Sequence, residues 1–398
     1  MLARLSDPTF WVYLTVAMVW LYRGRRALEA LHVIPCVFIP SRENTGDDSE
    51  TISIILPVKN EEKNIRACLE NLLNQDYKKI QIIVANNDSA DETEHILQGM
   101  GIPNLESESP RAKKTGTIDI GYCNTNATPA GWTGKNFAIH RALGHAKGQW
   151  LLFTDADTRH EPSSVRSALH HAKSRDLKFL TLLPRCMTRS FFESLIQPLA
   201  EAFLGLWFPM EKVNRSDTEA FFGNGQYILM ERAAYESVGG HECVKNEFLE
   251  DYALTRLVKK GKIRFEIALG TLIFGTRMYD SLNTTWQGWR RIYLFAFERK
   301  PWILLSKFLS VLCFSVLPFF CFIPLTQYAV ETPEVYGFSW GIAAVILSFI
   351  IFTTWKAYGV VHAKKSFAVL HPLGAIFIAM ILLDAFGMAL SRKEPRWR

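Results

Sequence analysis

The chain has 398 residues, enough for one large domain with additional segments. Its net charge of +6 is small for this length and dispersed, so no nucleic acid is expected as a partner. The seven cysteines contain no C-x-x-C pair, which indicates neither a zinc site nor a disulfide framework and favours a reducing compartment.

The first predicted element is an apolar stretch, "PTFWVYLTVAMVWLY" (8–22), followed by Arg23, Arg25 and Arg26. No basic region precedes it and no small-residue cleavage site follows it, so we interpret residues 1–26 as a membrane anchor and not as a signal peptide. Residues 41–50, "SRENTGDDSE", are polar and predict a linker.

An α/β domain is predicted from residue 51 to residue 285. "TISIILPV" (51–58) and "IQIIV" (80–84) are continuous apolar runs, typical of strands buried on both faces. Between them, apolar residues recur at helical spacing from Ile65 to Leu73. The three elements predict a right-handed βαβ unit.

Three polar loops follow apolar strands in this domain: "PVKNEE" (57–62), "NNDSADET" (86–93) and "DADTRHEP" (155–162). Ligands of open α/β sheets bind beyond the carboxyl ends of the strands, so these loops are the predicted site. In the third loop, Asp155 and Asp157 project to the same side of an extended backbone. Taken alone, they are either a metal clamp or the polar turn that ends a strand.

Two helices are predicted after these loops. "EDYALTRLVKKG" begins at Glu250 and Asp251 and ends at Gly261, and its two acids are either first-turn capping residues or catalytic groups. "TTWQGWRRIYLFAFERKPW" is aromatic and basic, which favours an amphipathic helix at a membrane interface, assigned to residues 286–301.

The C-terminal region, 302–390, contains three apolar segments that are long enough to cross a membrane: 302–330, 337–361 and 367–390. The arginines after the first anchor predict a multi-pass protein of the cell membrane whose α/β domain faces the cytoplasm. The tail "SRKEPRWR" is also basic, although a fourth crossing would place it outside the cell. Two explanations remain open. Either the last segment is re-entrant or interfacial, or the first is not a true span.

Five segments in order resemble the family 2 glycosyltransferases, inverting nucleotide-sugar enzymes with the Rossmann-like GT-A fold. The resemblance covers about residues 51–295. It is strongest to membrane-bound enzymes that glycosylate carotenoid acids or hopanoid-type lipids. The segments that carry it are "ILPVKNEEKNI", "VANNDSADET", "GWTGKNFAIHRALGHAKGQWLLFTDADT", "FGNGQYILMERAAYESVGG" and "FLEDYALTRLVKKG".

The resemblance implies a role for each loop. Asp155 and Asp157 look like the Asp-x-Asp motif that holds Mg²⁺ or Mn²⁺, with Asp157 as the direct ligand. Asn87 stands where the family has an aspartate that accepts a hydrogen bond from uracil, and an amide oxygen can accept the same bond. The donor-binding residues implied are Pro57, Asn60, Glu61, Asn87, Asp88, Lys135, Asp155, Gln287 and Arg290.

The resemblance assigns catalysis to Glu250 and Asp251, with Asp251 as the general base that deprotonates the acceptor. Gln287 and Arg290 match a Q-x-x-R-W motif whose last residue is Arg291 in this chain. A snorkelling anchor is the alternative role for these two residues.

The sequence thus predicts an α/β GT-A domain with an N-terminal anchor helix and C-terminal transmembrane helices. The expected activity is inverting, metal-assisted transfer of a sugar from a nucleotide-sugar donor, UDP-linked, to a membrane lipid acceptor. The alternatives are a polysaccharide synthase and a non-catalytic nucleotide-sugar-binding membrane protein.

Overall fold

The computed structural model describes residues 7–41, 49–107, 113–115, 118–125 and 127–391. The chain folds as two compact units. Among the described residues, the α/β unit comprises Val33–Arg185 and Lys212–Met278, and the helical unit comprises residues 7–32, Cys186–Glu211 and residues 279–391. The predicted linker (41–50) and the basic tail lie almost entirely outside the described residues.

The α/β unit is built on an eight-stranded sheet in the order β10-β7-β9-β5-β1-β2-β4-β3, and three further strands form a sheet in the order β6-β11-β8. The strands are β1 (Ile52–Val58), β2 (Ile80–Asn86), β3 (Lys113–Thr115), β4 (Ile118–Asn124), β5 (Trp150–Phe153), β6 (Thr158–His160), β7 (Phe179–Leu183), β8 (Arg185–Cys186), β9 (Ile228–Glu231), β10 (Phe265–Leu269) and β11 (Phe274–Thr276).

The α-helices of the described residues divide between the two units. They are α1 (Pro8–Val33), α2 (Ile65–Leu73), α3 (Thr93–Gly99), α4 (Gly134–Leu143), α5 (Ser164–Ser174), α6 (Phe191–Trp207), α7 (Met210–Val213), α8 (Arg232–Ser237), α9 (Glu250–Lys260), α10 (Leu282–Ala296), α11 (Pro301–Val311), α12 (Leu317–Glu331), α13 (Pro333–Val360) and α14 (His371–Ser391). A π-helical turn, Leu312–Val316, joins α11 to α12, and 3₁₀ turns occupy Gly240–Glu242 and Lys365–Leu370.

The predicted βαβ unit is confirmed. All seven residues of β1 and of β2 are buried, and the two strands pair in parallel. Helix α2 connects them and buries Ile65, Cys68 and Leu69, as its apolar spacing predicts. The sheet is mixed, because β9 runs antiparallel to β5 and β7.

Strands β5, β1 and β2 are adjacent and parallel, so the loops after them meet at one edge of the sheet. This arrangement is the expected location of a ligand site in an open α/β sheet. The third loop differs from the prediction in one respect. It contains the short strand β6, which pairs antiparallel with β11 from a distant part of the sequence.

Three helical segments of the described chain are long and apolar enough to cross a membrane: Pro301–Glu331, Pro333–Val360 and Lys365–Ser391. They correspond to the three predicted C-terminal segments. Helix α1 is continuous over 26 residues and is not one of the three. Helix α10 begins at Leu282, before the predicted start at residue 286, because Ser281 and Thr284 form a capping box.

Candidate active site

Lys135 joins two carboxylates at the edge of the sheet where the three loops meet. Its Nζ atom lies 2.8 Å from Oδ1 of Asp155 and 2.7 Å from Oε1 of Glu250. Although burial lowers it, the charges of Asp155 and Glu250 raise the pKa of Lys135 above its usual value. The lysine is therefore a fixed positive charge that connects the loop after β5 with the start of α9.

The first turn of α4 carries Lys135. Thr133 caps this helix by accepting a hydrogen bond from the backbone N–H of Asn136. The fully buried amide of Asn136 donates in turn to the carbonyl oxygens of Val244, Lys245 and Glu247. These bonds fix the start of α4, so the lysine lies between two residues, Thr133 and Asn136, that are held by hydrogen bonds to the backbone.

Asp157 lies close to Asp155, and its carboxylate is destabilised by burial and by neighbouring negative charges. Its Oδ1 atom is buried and has no hydrogen-bond partner within the described residues. Burial, followed by the negative charges of Asp155 and Glu61, raises the pKa of Asp157 to about 8. A cation beside this oxygen would relieve both the burial and the repulsion.

The described residues contain no group of three or more His, Cys, Asp and Glu side chains arranged to hold a metal ion. The protein itself offers the pair Asp155 and Asp157, and the unpartnered oxygen of Asp157 fits a hard divalent cation. Magnesium at phosphate-transfer sites is commonly bound by one or two carboxylates together with substrate phosphates. The donor set therefore fits a metal whose remaining ligands come from the substrate and from water.

Asp251 occupies the first turn of α9 with both carboxylate oxygens held. Its Oδ2 accepts from the backbone N–H of Gly225 at 2.7 Å, and its Oδ1 accepts from the backbone N–H of Tyr252 at 2.7 Å. Burial, followed by the charge of Glu250, raises the pKa of Asp251 to about 7. A carboxylate tuned to this range is suited to accept a proton near neutral pH.

The other catalytic candidate, Glu250, has a different environment. It is 7% exposed and forms the 2.7 Å ion pair with Lys135. This pairing suits a residue that positions the lysine, whereas Asp251 accepts hydrogen bonds from backbone amides.

Asn60 and Glu61 connect the first two loops to each other. Asn60 has a φ angle of 55°, and its Oδ1 accepts from the backbone N–H of Ala90 at 2.8 Å. The backbone N–H of Asn60 donates to Ser89, and that of Glu61 donates to Thr93. The left-handed conformation is one that asparagine tolerates well. These bonds fix the shape of the predicted nucleoside pocket.

Asn87, in the second loop, is buried against Gly134 at the start of α4. Its Oδ1 accepts from the hydroxyl of Thr125 at 3.1 Å, and a Cβ atom added to Gly134 would lie only 2.3 Å from its Nδ2. Only glycine allows this approach. The neighbouring Asp88 is exposed and adopts a left-handed φ of 50°.

A small cleft brings together five of the predicted site residues, whereas Asn60, Glu61, Asn87, Asp88 and Asp157 do not line it. Its walls include three predicted donor-site residues and both predicted catalytic residues. They are Pro57, Lys135, Asp155, Glu250 and Asp251, with Ile139, Phe153, Thr154, Gly225, Ile228, His241 and Leu254.

His241 is a cleft residue that sequence analysis missed. A single histidine after two glycines has no metal-ligand spacing, so it gives no signal on its own. Gly239 and Gly240 have φ angles of 76° and 51°, and this left-handed turn brings His241 into the cleft. The Gly-Gly pair was the available signal, because glycine is the residue type that most readily adopts a left-handed turn.

Gln287 and Arg290 belong to the helical unit. Gln287 donates to Asn283 on the same helix, and Arg290 forms a 3.0 Å ion pair with Asp384 of α14. The indole N–H of Trp286 donates to the same carboxylate. The diphosphate contact predicted for Gln287 and Arg290 stays a prediction.

The family whose model matches the chain is glycosyl transferase family 21, over residues 12–398. A 4,4'-diaponeurosporenoate glycosyltransferase of Staphylococcus aureus (strain USA300) is 23% identical over 248 residues, which are 61% of this chain and 60% of that protein. The enzyme of the same name from Staphylococcus haemolyticus (strain JCSC1435) is 24% identical over 263 residues, 63% of each chain. These alignments span less than two thirds of the relatives' length.

Among solved structures, the mannosyltransferase PcManGT from Pyrobaculum calidifontis, in complex with GDP-Man and Mn²⁺, aligns with 97% of this chain and 100% of its own. The TM-score is 0.50 and the identity is 17%, so the likeness concerns the fold. The predicted GT-A fold and the predicted relation to carotenoid-acid glycosyltransferases are confirmed. The matching family carries the number 21, where the resemblance named family 2.

Proposed function

Because this chain belongs to glycosyl transferase family 21, we propose that it transfers a sugar from a nucleotide-sugar donor, UDP-linked, to a lipid acceptor at the membrane, with inversion at the anomeric carbon. One observation carries the proposal. Lys135 binds Asp155 on one side and Glu250 on the other, next to Asp251, at the ligand-binding edge of the sheet.

The groups in and beside this cleft fall into two sets with complementary chemistry. Lys135, Asp155 and Asp157 suit the diphosphate of the donor, since Asp155 and Asp157 would hold Mg²⁺ or Mn²⁺ and Lys135 would contact a phosphate oxygen directly. When bound, the cation supplies positive charge that stabilises the departing diphosphate. The Mn²⁺ in the mannosyltransferase complex supports a divalent cation without fixing which one.

Asp251, which also lines the cleft, is the proposed general base. It removes the proton of the acceptor hydroxyl while the oxygen attacks the anomeric carbon, and the bond from that carbon to the diphosphate breaks. The raised pKa of Asp251 makes it a competent proton acceptor near neutral pH. Lys135 faces the negative charge that develops on the diphosphate, and Glu250 keeps the lysine in position.

A lipid acceptor is supported by two independent findings. The relatives are named for 4,4'-diaponeurosporenoate, which is a carotenoid acid, and three helical segments of the described chain are long and apolar enough to cross a membrane. We propose that these helices attach the enzyme to the cell membrane, where its acceptor is dissolved, with the catalytic domain facing the cytoplasm. A carboxyl acceptor is already ionised and needs little from Asp251, whereas a hydroxyl acceptor needs the base.

The test is to express the full chain in membranes, supply radiolabelled UDP-glucose, UDP-galactose, UDP-N-acetylglucosamine and GDP-mannose with Mn²⁺, and extract the lipids. Label from a UDP-sugar should enter the lipid extract with wild-type protein and not with Asp157→Ala. Label in an insoluble polymer would indicate a polysaccharide synthase. Donor binding without any transfer would indicate a non-catalytic binding protein.

A further inference from the structure

The turn that carries His241 is built around the hydroxyl group of Tyr235. The backbone N–H of His241 donates to this hydroxyl oxygen at 2.7 Å, and the same oxygen lies 2.8 Å from Nδ1 of the His241 ring. A Cβ atom on Gly240 would lie 2.3 Å from Cζ of the tyrosine, so only glycine permits this close packing. Tyrosine, glycine and histidine thus form one rigid local unit.

The hydrogen bonds of the Tyr235 hydroxyl favour one tautomer of the imidazole. A phenol oxygen that accepts from a backbone N–H has its own single hydrogen available to donate. Nδ1 of His241 is the ring atom within reach of this hydrogen, and a neutral imidazole that accepts at Nδ1 carries its own hydrogen at Nε2. In this tautomer His241 presents an N–H donor at Nε2.

The ring is also uncharged at physiological pH. Burial, followed by the charges of Lys135 and His140, lowers the pKa of His241 to about 3. The ring packs on Phe153 with centroids 5.0 Å apart, which fixes its orientation. A neutral, immobile donor suits a hydroxyl or carbonyl oxygen of a ligand better than a phosphate group.

Within the described residues, the hydrogen bonds of His241 use its backbone N–H and its Nδ1, both with Tyr235. Although His241 is only 3% exposed, Nε2 is not among the buried polar atoms that lack a partner, so this ring nitrogen keeps some contact with solvent. His241 lines the cleft that also contains Lys135, Asp155 and Asp251. In the proposed reaction, the transferred sugar lies between the diphosphate, near the lysine, and the base. Its hydroxyl oxygens are then the acceptors that the cleft would supply.

We propose that His241 donates a hydrogen bond from Nε2 to a hydroxyl oxygen of the transferred sugar and determines donor specificity, with Tyr235 as the positioning residue that fixes the tautomer. This inference rests on the proposed function. It adds that the protein recognises the sugar and not only the nucleotide, through an uncharged donor.

The test compares the binding of UDP with the binding of the UDP-sugar that labels lipid, both with Mn²⁺, to the purified full chain by calorimetry. His241→Phe should weaken UDP-sugar binding about tenfold, the value of one neutral hydrogen bond, and leave UDP binding unchanged. His241→Gln retains an N–H donor and should lose less. Tyr235→Phe should also lose part of the preference, because the tautomer is no longer fixed.

His140→Phe is the matched control, because His140 is an exposed histidine on the neighbouring helix and its ring packs on Trp132. It should bind both ligands as the wild type does. Deoxy analogues of the donor then identify the hydroxyl, since the analogue that lacks it should bind wild type and His241→Phe equally.

Equal loss of UDP and UDP-sugar binding in His241→Phe would mean that the histidine shapes the nucleotide pocket, and unchanged binding of both would mean that it contacts neither ligand. Either result overturns the inference and leaves the proposed function standing. A wild-type protein that binds no nucleotide sugar at all would overturn the proposed function together with the inference.

Discussion

The ammonium group of Lys135 lies 2.8 Å from the carboxylate of Asp155 and 2.7 Å from that of Glu250, so a single cation joins the loop after β5 to the start of α9. The three side chains are largely shielded from water. Removing one partner from such an ion pair leaves an uncompensated charge, which destabilises the folded protein. Binding of a diphosphate must therefore compete with, or share, the carboxylates that already hold the lysine.

Replacing Lys135 should lower the stability of the protein. Lys135→Gln leaves two carboxylates without their cation, so the free energy of unfolding should fall by about 3–5 kcal/mol, the usual loss when one partner of a buried pair is removed. Thermal unfolding of the purified protein measures the change. The double variant Lys135→Gln/Glu250→Gln should recover part of the loss, because it removes one of the uncompensated charges. Equal melting temperatures for the two variants would contradict the proposed role of Glu250.

Asp157→Asn should stabilise the protein while abolishing its metal-dependent binding. The folded protein raises the pKa of this carboxyl to about 8, above its ordinary value, so the folded state binds the proton more tightly than the unfolded state does. The contribution of Asp157 to stability is therefore lost progressively as the pH rises from about 4 to about 8. The asparagine of Asp157→Asn does not ionise, so the stability of this variant does not fall with pH in this way.

The measurement is the melting temperature without metal at pH values below and above this window. Asp157→Asn should gain about 2–4 °C over wild type near pH 8, the shift that about 1 kcal/mol produces in a domain of this size, and nothing near pH 4. Asp155→Asn is the comparison, because it removes an ion pair and should lower the melting temperature. A gain that does not vary with pH would contradict the assigned cause.

The pH profile of transfer should report Asp251. Burial and Glu250 raise its pKa to about 7, and only its ionised form accepts a proton, so kcat/KM for a hydroxyl acceptor should rise with pH and level off above about 7. In Asp251→Asn, transfer should fall by about 10²–10⁴-fold and the rising limb should disappear. A carboxyl acceptor should show neither effect, so the same profile identifies the acceptor class.

Gly134→Ala should weaken nucleotide binding, because the added Cβ would lie 2.3 Å from Nδ2 of Asn87 and force that side chain to move. Titration of UDP in the presence of Mn²⁺ measures the effect, which we expect at about tenfold, the value of one lost hydrogen bond. Gly131→Ala is a suitable comparison for strain alone, since it has a positive φ of 82° and no atom within 4 Å of the added Cβ. Normal binding by Gly134→Ala would remove Asn87 from the nucleotide pocket.

Much of the fold was predictable because its signals are local. The apolar runs of β1 and β2 are buried along their whole length, and the spacing from Ile65 to Leu73 matches one face of α2. The polar loops after β1, β2 and β5 could be placed together because parallel strands end at one edge. The resemblance then supplied the roles of Asp155, Asp157 and Asp251.

The remaining features depend on contacts between distant parts of the sequence. Nothing near Lys135 indicates that it pairs with Glu250, and nothing near Asn60 indicates that its amide oxygen is occupied by the backbone of Ala90. Strand β6 forms only because β11 pairs with it. His241 acquires its environment from a glycine turn and a tyrosine hydroxyl, so its residue type alone could not indicate a role.

In the proposed mechanism, Lys135, Asp155 and Asp157 bind the metal–diphosphate, and Asp251 deprotonates the acceptor. Comparing Mn²⁺-dependent UDP-sugar binding with sugar transfer to lipid in Asp157→Asn and Asp251→Asn separates these two roles. Asp157→Asn should lose both activities, whereas Asp251→Asn should bind the donor as wild type does and fail to transfer it to a hydroxyl acceptor. Wild-type transfer to such an acceptor by Asp251→Asn, or wild-type binding by Asp157→Asn, would contradict this account.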